Sequence, residues 1–102
     1  MWAIDKVNNK IYFGVNGVSG ASSNPASNSG GIPTTALDSS TSWFIGCTND
    51  TGSTETVAQF NFGSPPYAIS SSNADANGYG NFEYAVPSGY YALNTANLAE
   101  FG

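Results

Sequence analysis

The stretch WAIDKVNNKIYFGVNG, residues 2–17, decides the fold class. Residues 2–5 and 11–15 are rich in strand-forming side chains, and residues 7–9 between them are rich in turn formers, so the pattern predicts a β-hairpin. The first strand would begin directly after Met1, with almost no chain before it to cover its edge. We therefore expect a partner chain, or another part of the protein, to pair with that edge.

The composition indicates one all-β domain spanning residues 1–102. Charged residues make up 9% of the chain, against about 25% in an average soluble domain. A water-facing helix needs regularly spaced Glu, Lys, Arg and Ala, and this chain has too little of that material. Gly, Ser, Asn and Thr are abundant instead, which is typical of strands joined by polar uncharged loops.

Further strands are predicted after the hairpin. The clearest is 55–63, where Ala58, Phe60 and Phe62 alternate with polar neighbours. Five to seven short strands separated by turn signals indicate an antiparallel β-sandwich or barrel. The other predicted strands are 42–48, 81–86 and the end of 87–94, and the tail 95–102 is too short to assign.

The long segment 16–42 is rich in Gly, Ser, Asn and Pro and nearly free of charge. It is predicted to be a surface loop with one short turn near residues 35–37, and its length makes it a candidate contact surface. Cys47 is expected to be a small buried hydrophobe. The residues predicted to form the core are Trp2, Phe13, Trp43, Phe60 and Phe62.

The charge of −5 excludes two classes of partner. The only basic residues are Lys6 and Lys10, and there is no Arg. Nucleic-acid backbones and anionic membrane surfaces are both held chiefly by Lys and Arg, so we expect neither partner. No apolar run approaches the ~20 residues of a membrane-spanning helix.

We predict that the chain is not an enzyme. It has no histidine, which removes the usual general base and the usual partner of a Ser or Cys nucleophile. Two carboxylates within about 10 Å of each other across a cleft could still hydrolyse a glycosidic bond. The seven acids are scattered, however, and none falls in a two-carboxylate strand pattern. No catalytic residue is assigned.

The segment NADANGYGNFEY, residues 73–84, is a candidate metal site. Asn73, Asp75 and Asn77 alternate before a glycine, which is similar to the first half of a calcium-binding loop. Glu83 would be the bidentate acid, although it stands one residue short of the usual position. The alternative is an Asn/Asp/Gly turn whose side chains cap their own backbone.

Four loop tyrosines are candidate binding residues. A ring with a polar tip suits a protein interface or stacking on a sugar, and packing at the core or the sheet edge is the alternative for each. These residues are Tyr67, Tyr79, Tyr90 and Tyr91.

Three motifs give the chain a family resemblance. In order, WAIDKVNNKIYFGVNG, VAQFNFGSPPY and VPSGYYALNTANL resemble the C-terminal half of the SPRY-type domains found in bacteriophage and marine viral structural proteins. The resemblance implies a concanavalin-like β-sandwich, a jelly roll of two antiparallel sheets used for binding. A complete domain of this kind has further strands ahead of the hairpin, so the resemblance implies either a fragment or a sandwich with open edge strands.

From these observations we expect a phage virion structural protein that decorates a capsid or forms part of a tail fibre. Its expected partners are other virion proteins, through a homo-oligomer or through pairing with another chain. The alternative is a carbohydrate-binding, lectin-like module that recognises host surface glycans through the loop tyrosines. No cofactor is expected apart from the calcium ion already considered.

Overall fold

The computed structural model describes residues 1–35, 42–48, 52, 55 and 57–101. Its regular elements are four strands, a single-turn 3₁₀ helix and one short α-helix. They are β1 (Trp2–Asp5), β2 (Lys10–Val15), β3 (Val18–Ser19), the 3₁₀ helix (Pro25–Ser27), β4 (Ile32–Pro33) and α1 (Thr95–Phe101).

The four strands form one antiparallel sheet with β2 at its centre. β1 pairs along one side of β2, whereas β3 and β4 pair with the two ends of β2 on the other side. The predicted hairpin and the antiparallel β class are therefore confirmed. The part of the chain that the structure describes holds this one sheet, and the second layer of the predicted sandwich is not seen in it.

Local turn chemistry fixes the register of the sheet. At the first turn the Asp5 carboxylate accepts hydrogen bonds from the backbone N–H and the side-chain amide of Asn8, at 2.9 and 2.8 Å. At the second turn Asn16 and Gly17 both have positive φ, 50° and 78°, which is the geometry of the two-residue Asn-Gly hairpin. A one-residue slip would exchange the faces of every strand, so these turns decide which side chains are buried.

The sheet buries one face around a single tyrosine. Tyr12 is 1% exposed, its hydroxyl donates to Asn28 Oδ1 at 3.0 Å, and its cross-strand neighbour Ala3 is also buried. The Tyr90 ring packs edge-on against Tyr12, with the ring centroids 6.4 Å apart. Gly31, at φ 84°, leaves room for the Tyr12 ring, because a Cβ there would lie 2.6 Å from Tyr12 Cε1.

The predicted core is wrong for its large aromatic residues. They project from the opposite face of the sheet or from segments without regular structure, where more than two fifths of each side chain is exposed. This holds for Trp2, Phe13, Trp43, Phe60 and Phe62. Cys47 is exposed too, contrary to prediction.

The segment predicted as a long loop contains ordered elements that pack on β2. β3, the 3₁₀ helix and β4 all lie within it, and Lys10 Nζ donates to Asn28 O at 2.8 Å to hold the helix end. Asn24 caps that helix by accepting from Ala26 N. The turn predicted near residues 35–37 lies largely outside the described residues.

Beyond β4 the chain makes little regular structure. The strands predicted at 42–48, at 81–86 and at the end of 87–94 are wrong, and so is the described part of the strand predicted at 55–63. None of these residues lies in a strand, and one pair of backbone hydrogen bonds joins Asn73 and Phe82. The tail left unassigned from sequence forms α1, with the Asn94 side chain accepting from Asn97 N at its start. Among the described residues no helix is long and apolar enough to span a bilayer.

Candidate functional site

Asp75, the centre of the predicted metal loop, is a buried anchor for three segments of the chain. Its Oδ1 accepts from the backbone N–H groups of Asn77 and Tyr79, at 3.0 and 2.9 Å. Its Oδ2 accepts from Ala92 N and from Asn97 Nδ2, at 2.8 and 2.7 Å. A carboxylate has about four lone-pair sites, and four N–H donors occupy them.

Asn97 completes this anchor from helix α1. It is buried, and its amide donates to Asp75 and to Ala92 O, at 2.7 and 2.8 Å. Its Oδ1 accepts from Asn77 Nδ2 at 2.9 Å. We call Asp75, Asn77, Ala92 and Asn97 the polar hub, because their hydrogen bonds join the 73–79 loop, the 90–94 segment and the helix.

The hub keeps Asp75 ionised. Burial alone raises the pKa of a carboxyl group, and here it is the largest single influence. The hydrogen bonds from Ala92, Asn97, Tyr79 and Asn77 together outweigh it, so the pKa of Asp75 lies below its ordinary value. The charge is held by N–H dipoles of the protein itself.

The other two predicted ligands serve a neighbouring contact. Asn73 Nδ2 donates to the backbone carbonyls of Phe82 and Glu83. The Glu83 carboxylate accepts from Ser70 N and from the hydroxyls of Ser70 and Ser71. These bonds, with Ser70 foremost, lower the pKa of Glu83.

The calcium site therefore stays a prediction, and the turn interpretation describes the contacts that are seen. Within the described residues no three His, Cys, Asp or Glu side chains are grouped so that they could hold a metal ion. Asp75 and Asn77 share the hub, but Glu83 is directed to serine partners. A cation on Asp75 would have to displace N–H donors, which cannot themselves act as ligands.

Three of the four candidate tyrosines are exposed, and the fourth packs on the sheet. Tyr67, Tyr79 and Tyr91 are exposed, and no ring contact joins Tyr67 to Tyr79 in the described residues. Tyr90 lies against the sheet, where its hydroxyl is buried beside Tyr12 and Asp5. Burial, followed by the charge of Asp5, raises the pKa of Tyr90 to about 12.

The most distinctive surface is the outer face of the sheet. Strand side chains alternate between faces, so the neighbours of the buried Ala3 and Tyr12 point outward. They are all apolar, whereas an antiparallel sheet that is wet on one side normally presents polar residues there. We call this surface the outer face; it consists of Trp2, Ile4, Ile11, Phe13, Val15 and Val18.

Aromatic rings extend the outer face beyond the strands. The Trp2 ring meets Phe13 edge-on at 5.6 Å and Phe60 edge-on at 6.4 Å between centroids. Phe60 in turn stacks on Phe62 at 6.1 Å. A shallow open cleft of about 500 Å³, lined by residues 1–2, 13–15 and 18–20, runs along one end of this surface.

The outer edge of β1 has no paired strand among the described residues. Met1 and Gly14 exchange both of their hydrogen bonds, at 2.7 and 3.0 Å. Bonded and non-bonded pairs alternate in an antiparallel ladder, so Trp2 and Ile4 direct their N–H and C=O groups away from β2.

Sequence reasoning missed Asn97 and the apolar outer face. The spacing of Asn94 and Asn97 is a recognisable helix-start signal. The outer face could have been read from β2, where Ile11, Phe13 and Val15 share the period of two while Tyr12 falls on the other side.

Comparisons with known proteins add no relative: no family model, no curated protein and no solved structure matches this chain.

Proposed function

We propose that the chain is a phage virion structural module of the SPRY type. It decorates a capsid or forms part of a fibre, and it attaches to another virion protein through an edge strand and loop contacts. The single observation that carries this proposal is the outer edge of β1, which pairs with no other strand in the described part of the chain. There Trp2 and Ile4 direct backbone donors and acceptors outward, where an incoming strand could use them.

The fold proposed with this function is a β-sandwich in which the observed sheet is one layer. The supporting observation is that the outer face of the β1–β2 hairpin is apolar while its inner face buries Ala3 and Tyr12, as in a sheet covered on both sides. Only four apolar residues of the described chain are buried, and they do not amount to a large core. They are Ala3, Tyr12, Pro25 and Ala92.

Glycan recognition has less support. It would need exposed rings beside free polar groups, but the Asp75 carboxylate is committed to four N–H donors. Tyr67 and Tyr79 remain exposed, so a glycan array with and without a chelator still tests this alternative. Binding that Tyr79→Ala abolishes would favour it over assembly.

Immunogold electron microscopy tests the virion proposal. An antibody against the purified chain is applied to particles of the phage whose genome encodes it. We expect label at a fixed position on the capsid or the fibre. Label confined to unassembled protein would overturn the proposal.

The attachment mode is tested with Ile4→Pro. Proline removes an N–H that points outward and leaves the bonds between β1 and β2 in place. We expect the variant to fold and to lose incorporation into particles. Ile4→Val, which keeps the N–H, is the matched control and should be incorporated normally.

A further inference from the structure

We propose that a second copy of this chain covers the outer face, so that two sheets pack face to face around a two-fold axis. The sandwich is then completed between two chains. This inference rests on the proposed function, which supplies the sandwich fold. It adds to that function by naming the partner of the outer face. The outer edge of β1 remains available to a different virion protein.

The surface area of the chain supports association. The chain exposes 7240 Å². A compact monomer of 10.5 kDa exposes about 5,400 Å². The difference is larger than the roughly 800 Å² that each partner buries in a standard stable interface. The excess exposed area is therefore enough for one interface of standard size.

The outer face is large enough to supply such an interface. Phe13 and Phe60 are each exposed over more than two fifths of their surface, and Val15 and Val18 are 76% and 71% exposed. Aromatic side chains bury about 150–250 Å² each when fully covered. The rings of Trp2, Phe13, Phe60 and Phe62 together therefore hold several hundred Å² of exposed area. Contiguous apolar patches beyond about 600 Å² are rare on monomers.

Charge does not oppose a second copy at this surface. With a net charge of −5, two copies repel each other where their acids face. None of the residues that line the cleft, 1–2, 13–15 and 18–20, is Asp or Glu. Two copies that meet through the outer face therefore bring apolar surface together and keep this lining free of like-charge contacts.

The geometry of the outer face suits packing against itself. A two-fold interface presents the same patch on both chains, so each apolar group meets an apolar group. Packed sheets lie about 10 Å apart, a depth that interdigitated Trp and Phe side chains fill. Rings at Trp2, Phe13 and Phe60 are already arranged edge-on, which leaves ring edges and faces open to a partner.

Sedimentation equilibrium across a dilution series tests the inference with three matched valine variants. Val15→Lys and Val18→Lys place a charge on the outer face, whereas Val7→Lys places the same charge at the 89% exposed turn of the same hairpin. All three side chains are well exposed, so each variant should fold, and circular dichroism checks that it does. We expect wild type and Val7→Lys to reach twice the chain mass.

For Val15→Lys and Val18→Lys we expect a dimer dissociation constant at least about tenfold weaker, because an unpaired ammonium would be buried. Wild type that stays at the monomer mass throughout the series overturns the inference. Equal weakening by Val7→Lys overturns it too. A monomeric chain that still labels phage particles would refute the second copy alone, whereas a dimer that never labels particles would refute the proposed function alone.

Discussion

The hairpin region, residues 1–35, and the hub region, residues 57–101, are held together by different kinds of bond. In the first, backbone N–H and C=O groups pair along β1 to β4. In the second, side-chain carboxylates and amides do most of this work, with Asp75 and Asn97 at the centre. A ladder tolerates substitution of most side chains, whereas a hub depends on a few particular ones.

The comparison predicts its largest effect at Asp75. In Asp75→Asn one acceptor oxygen becomes an NH₂ group, which faces N–H donors that then lose their partner. We expect the free energy of unfolding to fall by about 3 kcal/mol in urea titrations. The control is Asp5→Asn in the hairpin, whose carboxylate accepts from Asn8 at an exposed turn, and we expect a smaller loss. Equal losses for both variants would contradict the comparison.

A pair of glycines gives the next largest contrast. Gly31 and Gly78 both have positive φ, 84° and 78°, so alanine costs about 1 kcal/mol of backbone strain at either position. At Gly31 the new Cβ would also lie 2.6 Å from Tyr12 Cε1, whereas at Gly78 it meets no atom within 4 Å. We expect Gly31→Ala to lower the free energy of unfolding by a total of about 2–3 kcal/mol, and therefore to lower the melting temperature clearly more than Gly78→Ala does. A reversed order would show that the Tyr12 packing contributes little.

A smaller effect is expected at the start of α1. Asn94→Ala removes the oxygen that accepts from Asn97 N, which costs about 1 kcal/mol. Asn94→Asp keeps an acceptor at the same position and should keep the stability. Chemical denaturation followed by circular dichroism compares the two. If Asn94→Asp is as unstable as Asn94→Ala, the cap is not the cause.

The smallest expected effect is a difference in how the free energy of unfolding falls at acidic pH. The folded pKa of Asp75 lies below its unfolded value of about 4, so the native state binds fewer protons than the unfolded state. The stability that it contributes is complete above pH 4 and is lost as the pH falls through the lower folded pKa. We expect wild type to lose more stability than Asp75→Asn between pH 5 and the acid limit. Parallel curves would show that Asp75 is not held ionised.

The hairpin could be predicted because its signals are local. Turn formers at residues 7–9 and the Asn16–Gly17 pair fix the register within a few residues of each strand. Residues 57–62 have the same period of two, yet they form no strand. Alternating apolar and polar residues form a strand only where a second strand is available to pair with them. The sequence alone does not identify that second strand.

The hub could be predicted only in part. Its acceptor, Asp75, lies in the polar loop that the sequence marked as a candidate metal site or, alternatively, as a turn whose side chains cap their own backbone. Its donors at Ala92 and Asn97 lie 17 and 22 residues further along the chain, and nothing local links them to Asp75. A carboxylate in such a loop can bind a cation or accept hydrogen bonds from N–H groups. The tertiary fold determines which of the two surrounds it.

One consequence of the sheet geometry concerns how the chain approaches a partner. Lys6 and Lys10 flank the first turn, and four residues of β1 separate that turn from the cleft end of the hairpin. Both side-chain cations of the chain therefore lie at this tip, next to Asp5. An acidic partner would attract this tip first, so encounter rates with it should fall as salt screens the field, while contacts made by the apolar surface should persist.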